Sequence, residues 1–446
     1  MAFPRSVTTE IGMRTRAQTA PNGSADAVGA GLPFQVAVVG AGPTGCYTAQ
    51  ALRKGQSDVE VTVFDSLPTP FGLVRYGIAP DHQGAKAVSR QFERLFGQPG
   101  VDFVGNVSIG TDISLEELLE NFHAVVLATG LGADKPLAVY QDPDARIIGA
   151  GELIRFLNSD PDARLRGQVG LESLGDEVVI LGTGNVAVDV ARLLSKSDLD
   201  FIASDVDDDA LRMVAPNPVK IIHILGRCEA HLAKWDASMV KELAEVAGVH
   251  LSVDGTPLPG EEAVSPRTTV NVRFRRVPVS IRRHEGRVRV TTRHAADAGL
   301  VDHLDADTVI TALGFGASAA HRDRFGGVEA PNVFRVGGPA TGRLGNLAEN
   351  RKLAAAAAKD ILETLRAQEP QERAGPAGLR ERLPASAVSI DGWKRIDDAE
   401  IRRARPDRCR TKFTTRDDLL AAAAEGSDAP ASSSPATTAA TATQEN

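Results

Sequence analysis

Two short turns, one holding Gly40, Gly42 and Gly45 and the other Gly182, Gly184 and Ala187, carry the spacing by which a backbone holds a diphosphate. In Gly40-Ala-Gly42-Pro-Thr44-Gly45 the first glycine permits a tight turn, the second lets backbone approach a pyrophosphate, and the third lets the next helix pack on the preceding strand. The amides that open that helix then face the phosphates. Asp65, at the end of the next apolar run, stands where a carboxylate accepts hydrogen bonds from a ribose. In the second turn Ala187 replaces the third glycine and is still small enough for close packing. The run after it, Lys220 to Leu225, ends in Gly226-Arg227 with no carboxylate. An acid there repels a ribose 2′-phosphate and an arginine attracts it, so NADP is expected in preference to NAD at the second site.

Each turn needs a strand before it and a helix after it. Phe34 to Val39 and Val178 to Leu181 are apolar runs of strand length, and helical stretches follow, to about Lys54 and over Val186 to Leu194. Val59 to Phe64, Ala124 to Gly130 and Thr308 to Gly314 read as further strands, the last two ending at small-residue turns. The acidic stretch from Ser197 to Pro218 reads as a solvated excursion. The expected fold is α/β, with two Rossmann-like three-layer dinucleotide-binding domains, the NADP domain inserted between two parts of an FAD domain. The chain divides on this reading into a disordered leader (1–33), FAD-domain segments (34–140 and 316–365), an NADP domain (141–315), a linker (366–384), a C-terminal cap (385–425) and a low-complexity tail (426–446). Within the leader the absence of a long apolar stretch argues against a secretory signal; its few acids leave a transit peptide as the alternative.

Composition narrows the chemistry. The 446 residues carry 50 basic and 58 acidic side chains for a net charge of −8, without the basic and aromatic interleaving of a nucleic-acid binder. No apolar run reaches the roughly 18 residues of a bilayer span. The three cysteines, Cys46, Cys228 and Cys409, are too far apart in sequence for a thiolate metal site, an iron–sulfur cluster or a Cys-x-x-Cys pair. Electron chemistry must then come from bound organic cofactors. A flavin in the first site can take hydride from a nicotinamide in the second and pass electrons onward singly. The disulfide reductases share this double layout but need a cysteine pair beside the flavin, which is missing here.

The run Pro70-Phe-Gly-Leu-Val-Arg75-Tyr-Gly-Ile-Ala-Pro-Asp81-His82 resembles the adrenodoxin reductase family of ferredoxin–NADP reductases, bacterial members included. Gly182 to Arg192, Gly149-Ala-Gly-Glu-Leu153 and Gly392-Trp393-Lys-Arg-Ile-Asp397 are similar to that family as well, and the likeness spans roughly residues 34 to 420. The resemblance implies FAD in the first site, NADPH in the second, and electron transfer to a small iron–sulfur protein. It implies FAD contacts at Thr44, Asp65, Leu73 and Ile109, NADP contacts at Thr183, Gly184, Asn185, Val186 and Arg227, and further cofactor contacts at Gly338, Gly342, Arg343 and Leu344. His82 and Glu242 match polar groups close to the flavin and nicotinamide.

Departures from the family pattern are local. Cys228 stands where a second arginine is usual at the 2′-phosphate, Glu229-Ala230 replaces Gly-Pro, Met239 replaces a glutamate, and Gly338 takes the place of a tryptophan. A basic insertion of the vertebrate members is missing between Leu251 and Arg275. Arg273, Arg275, Arg276, Arg282, Arg283, Arg287, Arg289 and Arg293 crowd one β-rich region and would steer an acidic carrier such as ferredoxin. The alternative is that they alternate outward on exposed strands with no partner. A cytoplasmic monomer is expected. Two other functions fit part of the pattern: reduction of a small acceptor such as a quinone, and a non-catalytic FAD-binding sensor.

Overall fold

A computed structural model describes residues 33–168, 173–258, 266–368 and 371–425. The expected leader, but for residue 33, and the expected tail lie outside the described residues. Gln35–Val39 lies inside a six-stranded sheet in the order Val333–Arg335, Ala124–Leu127, Gln35–Val39, Glu60–Phe64, Val101–Gly105, Val388–Ser389. All neighbours run parallel except the edge strand Val388–Ser389. Both faces are covered, which is why the strand reads as a continuous apolar run. Val36 and Val38 share a core with Leu52 of the helix Pro43–Gly55 and with Ile361 and Leu365 of the helix Leu347–Arg366. Ala37 and Val39 pack on the opposite side with Leu118 and Phe122.

Between Leu127 and Val333 the chain builds a second sheet of seven strands. Its order is Thr256–Pro257, Val249–Val253, Thr268–Arg273, Ile221–Leu225, Glu177–Leu181, Thr308–Thr311, Ile147–Gly149, parallel but for the first pair. The helices Ala150–Leu157 and Asn185–Ser195 cover one face through Val178 and Ile180. An antiparallel meander, Arg276–His284, Arg287–His294 and Val301–Ala306, covers the other by packing Ile281, Val288 and Val290 on Val179, Leu181 and Val309. The three layers of this unit are therefore α/β/β. Two connections to the first sheet, Ala133–Asp134 and Phe315–Gly316, pair antiparallel. Asp134 also accepts from the amides of Gly151 and Glu152, each at 2.9 Å, and so caps the helix Ala150–Leu157.

Two expectations change. The acidic excursion at 197–218 is not solvated throughout: Asp205 is 4% exposed, and its carboxylate takes Lys86 and Lys412, each at 2.7 Å. Asp207 accepts from the amides of Asp209 and Ala210 at the start of the helix Asp208–Val214 and also receives Arg166. The stretch read as a linker packs down too. Leu379 is 1% exposed in the core with Leu118 and Phe122, and the Gln371 carbonyl lies 2.8 Å from His123 Nε2. Among the described residues no helix is long and apolar enough to cross a membrane.

The Asp205 cluster clamps three segments together. Lys86 comes from beside the first sheet, Asp205 and Asn158 from the second unit, and Lys412 from the C-terminal segment; both ammonium groups also reach Asn158 Oδ1, at 2.5 and 3.1 Å. The paired lysines hold the Asp205 carboxyl well below the usual carboxylate range. Asp205→Ala would leave two buried ammonium groups without a counter-charge, and breaking a buried pair in this way costs about 3–5 kcal/mol. Urea unfolding should report that loss; a change below about 1 kcal/mol would mean that water reaches the lysines.

Candidate active site

The first glycine turn closes because only glycine fits its ends. Gly40 has φ +107°, and a Cβ there would lie 2.5 Å from the Ala128 carbonyl oxygen; one on Gly45 would lie 1.9 Å from the Gly40 oxygen. Gly42 is different: a Cβ there would meet nothing within 4 Å. The helix Pro43–Gly55 starts at this opening with no side-chain cap and no acid in its first turn, so its first amides remain free for an anion. Asp65 stands beside the opening and accepts from Ala41 N at 2.7 Å and Leu67 N at 2.9 Å. Burial pushes its carboxyl up to about 6 in spite of those two amides.

Further backbone closes round this cradle. Phe71 holds φ +80°, strained for a residue with a side chain. Its N–H donates to the Ala41 carbonyl at 2.9 Å and its ring meets Trp393 edge-on at 5.7 Å. That pose places Gly72 so that its Cβ would lie 3.1 Å from Gly42 Cα, and Leu73 then opens a short helix, Leu73–Tyr76. From the other side, Gly337 approaches Thr44, whose Oγ1 would lie 2.6 Å from a Cβ. At Gly338 a Cβ would lie 2.9 Å from Leu131 Cγ, so a tryptophan fits there only if Leu131 moves. Ile109 is 3% exposed within the core beside Val107 and Phe64. Gly342 and Arg343 are exposed, Leu344 is half-buried, and the Arg343 guanidinium pairs with Glu349.

The second turn repeats the device. Gly182 has φ +127° with the Ala312 oxygen 2.3 Å from a Cβ, and Gly184 again has nothing within 4 Å. The helix Asn185–Ser195 starts there without a side-chain cap. Asn185 donates to Asp236 and accepts from its N–H, both at 2.7 Å, while Lys234 N donates to the Thr183 carbonyl at 3.1 Å. Val186 is half-buried, and Arg227 is exposed with no ion pair among the described residues.

The two units meet on charged side chains. His82 Nε2 lies 3.0 Å from Glu242 Oε2, and Nδ1 lies 3.5 Å from Asp189 Oδ1. Arg192 donates to Asp81 at 2.8 and 3.0 Å, to Asp189 at 2.8 Å and to Glu242 at 3.4 Å. Asp189 is four residues along the helix from Asn185, about 6 Å at 1.5 Å per residue, so the cluster begins one turn below the second cradle. Burial pushes the Asp189 carboxyl up to about 6, opposed by Arg192 and His82. His82 and Glu242 are expected site residues, whereas Asp189, Arg192, Gly72 and Gly337 stand in the sequence without an expected role. The i,i+3 spacing of Asp189 and Arg192 was the available signal for the first pair; nothing local marks Gly337.

The arginine cluster is less uniform than its sequence. Arg273 and Arg276 both reach Asp302 at 3.5 Å, Arg287 reaches Glu177 at 2.6 Å and Asp307 at 3.2 Å, and Arg289 forms a two-pronged pair with Asp305 at 2.7 and 2.6 Å. Arg282 and Arg283 are exposed, and the Arg282 guanidinium stacks 4.3 Å over the Tyr140 ring. Among the described residues Arg282, Arg283 and Arg293 have no ion pair and Arg275 has only Asp254 at 3.9 Å, so half of the eight arginines keep a largely uncompensated charge, Arg282 and Arg283 at the most exposed end.

Comparison with known proteins agrees with this layout. The pyridine nucleotide-disulphide oxidoreductase family model matches residues 34–257. Cindoxin reductase of Citrobacter braakii is 38% identical over 412 residues, covering 85% of this chain and 88% of its own. A probable ferredoxin/ferredoxin–NADP reductase of Mycobacterium tuberculosis is 30% identical, covering 88% and 76% respectively. The chain belongs to the adrenodoxin reductase-like ferredoxin–NADP reductases. The solved structure of Mycobacterium tuberculosis FprA in complex with NADPH superposes on the reductase with a TM-score of 0.77 at 26% identity, covering 88% of this chain and 99% of the other. As a member of this family the reductase is a flavoprotein oxidoreductase using FAD and NADP(H). Its residues fit both groups: two uncapped helix starts, each behind a glycine with open space before it, suit two pyrophosphates. Its three thiols are unpaired, and Cys46 is buried with its thiol pushed up by burial, so no cysteine pair takes part.

Asp65 makes cofactor retention depend on pH. Its folded-state pKa is raised, so between about pH 4 and 6 this carboxyl holds more proton in the FAD-free protein than in the unfolded chain, and its own contribution to stability is lost as pH rises through that window. A ribose needs the ionised acceptor, so FAD affinity should fall as pH drops through about 6. Ultrafiltration of the loaded protein across that range measures the free FAD. Asp65→Asn should bind weakly at every pH and lose the pH dependence; if it keeps the wild-type profile, another group is responsible.

Proposed function

We propose that the reductase takes hydride from NADPH held at Gly182–Ala187, with Arg227 on the 2′-phosphate, and delivers single electrons to a small acidic iron–sulfur carrier of the ferredoxin kind. FAD held by Gly40–Gly45, Asp65, Thr44 and the backbone at Leu73 and Gly338 supplies the chemistry that accepts a hydride and releases electrons singly. The observation that supports this reading is the pair of open-fronted cradles on two units that are joined by the contacts of His82 with Glu242 and Asp189. The chain's own work is positioning and proton holding. Arg192 and Lys196 fix Asp81, and with it the loop bearing His82, to the second unit. His82 is held between two carboxylates, and Asp189, with its carboxyl at about 6, can hold or release a proton near neutral pH. By fixing the two units against each other, these contacts would hold two bound cofactors in one relative geometry, which is the positioning a hydride transfer requires.

The carrier docks, on this reading, at Arg282 and Arg283 beside Tyr140, and the reductase acts as a cytoplasmic monomer. Reversing both charges (Arg282→Glu with Arg283→Glu) should slow ferredoxin reduction about tenfold at low salt and leave flavin reduction by NADPH unchanged. Ferricyanide reduction, which needs no docking, is the control. Equal loss in both half-reactions would assign the pair to the fold, and no loss in either would move the weight to a small-molecule acceptor. That second reading gains from the neutralisation of Arg273, Arg276, Arg287 and Arg289 by acids of their own domain.

A further inference from the structure

The Gly226-Arg227-Cys228 turn has a close neighbour. Gly226 N donates to the Arg273 carbonyl at 2.9 Å, Arg276 N to the Gly226 carbonyl at 2.9 Å, and Arg275 N to the Cys228 carbonyl at 3.0 Å. These bonds carry the pairing of Ile221–Leu225 with Thr268–Arg273 past the strand ends, so the two turns lie side by side. Arg275 thereby sits next to the residue that departs from the double-arginine pattern. It does so at φ +56°, a left-handed conformation uncommon for a residue with a side chain, fixed by the Cys228 bond on one side and by Asp254, which accepts from Phe274 N at 2.9 Å, on the other.

The charges around these turns differ in their engagement. Arg273 and Arg276 share Asp302. The Arg275 side chain is 45% exposed, and its one acidic neighbour among the described residues, Asp254, is 3.9 Å away. Arg227 has no ion pair among them, and Glu229 adds a negative charge two residues on. A single arginine beside that glutamate leaves the turn nearly neutral, which is a poor seat for a phosphate carrying close to two negative charges.

We propose that Arg275 supplies the second positive charge at the 2′-phosphate subsite, from the neighbouring strand end, in place of the arginine absent at Cys228. The proposal rests on reading Gly182–Ala187 as the nicotinamide nucleotide site. NADPH is then gripped at its 2′-phosphate between Arg227 and Arg275, and the selectivity that adjacent arginines give in one turn is here divided between two.

Calorimetric titration of the FAD-loaded protein with 2′,5′-ADP and with 5′-AMP, at low ionic strength, tests it without turnover. Arg275→Gln should weaken 2′,5′-ADP about tenfold and leave 5′-AMP unchanged, as loss of one charge-assisted contact implies. Arg275→Lys should retain most of the affinity, and Cys228→Arg in the Arg275→Gln background should restore it. Arg275→Asn, which tolerates the left-handed backbone, gives the same reading if the glutamine variant folds poorly. Affinity for 2′,5′-ADP within about twofold of wild type, or equal loss for both ligands, would overturn the role of Arg275. A wild-type protein with no preference for 2′,5′-ADP would instead overturn the assignment of the nucleotide site itself.

Discussion

Gly42→Ala should yield a folded, soluble protein that purifies without flavin. The backbone at Gly42 is extended, φ −71° and ψ −179°, which alanine adopts without strain, and its Cβ would touch no atom of the chain within 4 Å. The fold therefore has no reason to lose stability. The added methyl instead fills the space through which a pyrophosphate reaches the first amides of the helix Pro43–Gly55. Losing two charge-assisted hydrogen bonds at about 1.5–3 kcal/mol each weakens binding by at least two decades. Gly45→Ala is the counter-example: its Cβ would sit 1.9 Å from the Gly40 oxygen, so that variant should fail to fold whether or not FAD is supplied. Flavin content per chain, with the unfolding midpoint of the FAD-free protein, separates the two. A yellow Gly42→Ala protein would mean that the phosphates lie elsewhere.

Gly184→Ala should stay yellow and fail with NADPH. Its backbone is also extended, φ −101° and ψ 176°, with nothing within 4 Å of a Cβ, so the same argument applies at the second cradle. The dissociation constant for NADPH should rise by about a hundredfold or more, while chemical reduction by dithionite proceeds as in the parent. The two alanine variants together assign the cradles: if Gly184→Ala loses flavin, or Gly42→Ala keeps flavin and loses NADPH, the order of the sites is reversed.

Much of this geometry could be read in the sequence because it is local. A doubly covered parallel strand must be apolar along its length, so Gln35–Val39, Glu60–Phe64 and Glu177–Leu181 declare themselves, and the glycines at 40, 45 and 182 mark positions where a Cβ would strike backbone. What escaped notice depends on distant partners. The acids near Asp205 look solvated until Lys86 and Lys412 arrive from more than a hundred residues away on either side. The arginine run looks like a single positive face until the meander register sets Arg289 opposite Asp305. The second unit's outer layer is a meander where helices would satisfy the same apolar pattern, and the edge strand Val388–Ser389 is too short to show a period. Pro70–His82 and Gly392–Asp397 stood out as separate motifs, yet they meet at Phe71 and Trp393 to set the strained approach of Gly72 to Gly42.

The most direct test of the central claim is anaerobic stopped-flow reduction of the purified protein by one equivalent of NADPH, followed by a second mix with oxidised ferredoxin. NADPH should bleach the flavin absorbance, NADH should do so much more slowly, and reoxidation should follow as two carriers are reduced for each hydride received. Flavin that NADPH does not bleach, or that NADH bleaches faster, would contradict the assignment of the second cradle. Reduced flavin that quinone or dye reoxidises while ferredoxins do not would contradict the proposed carrier.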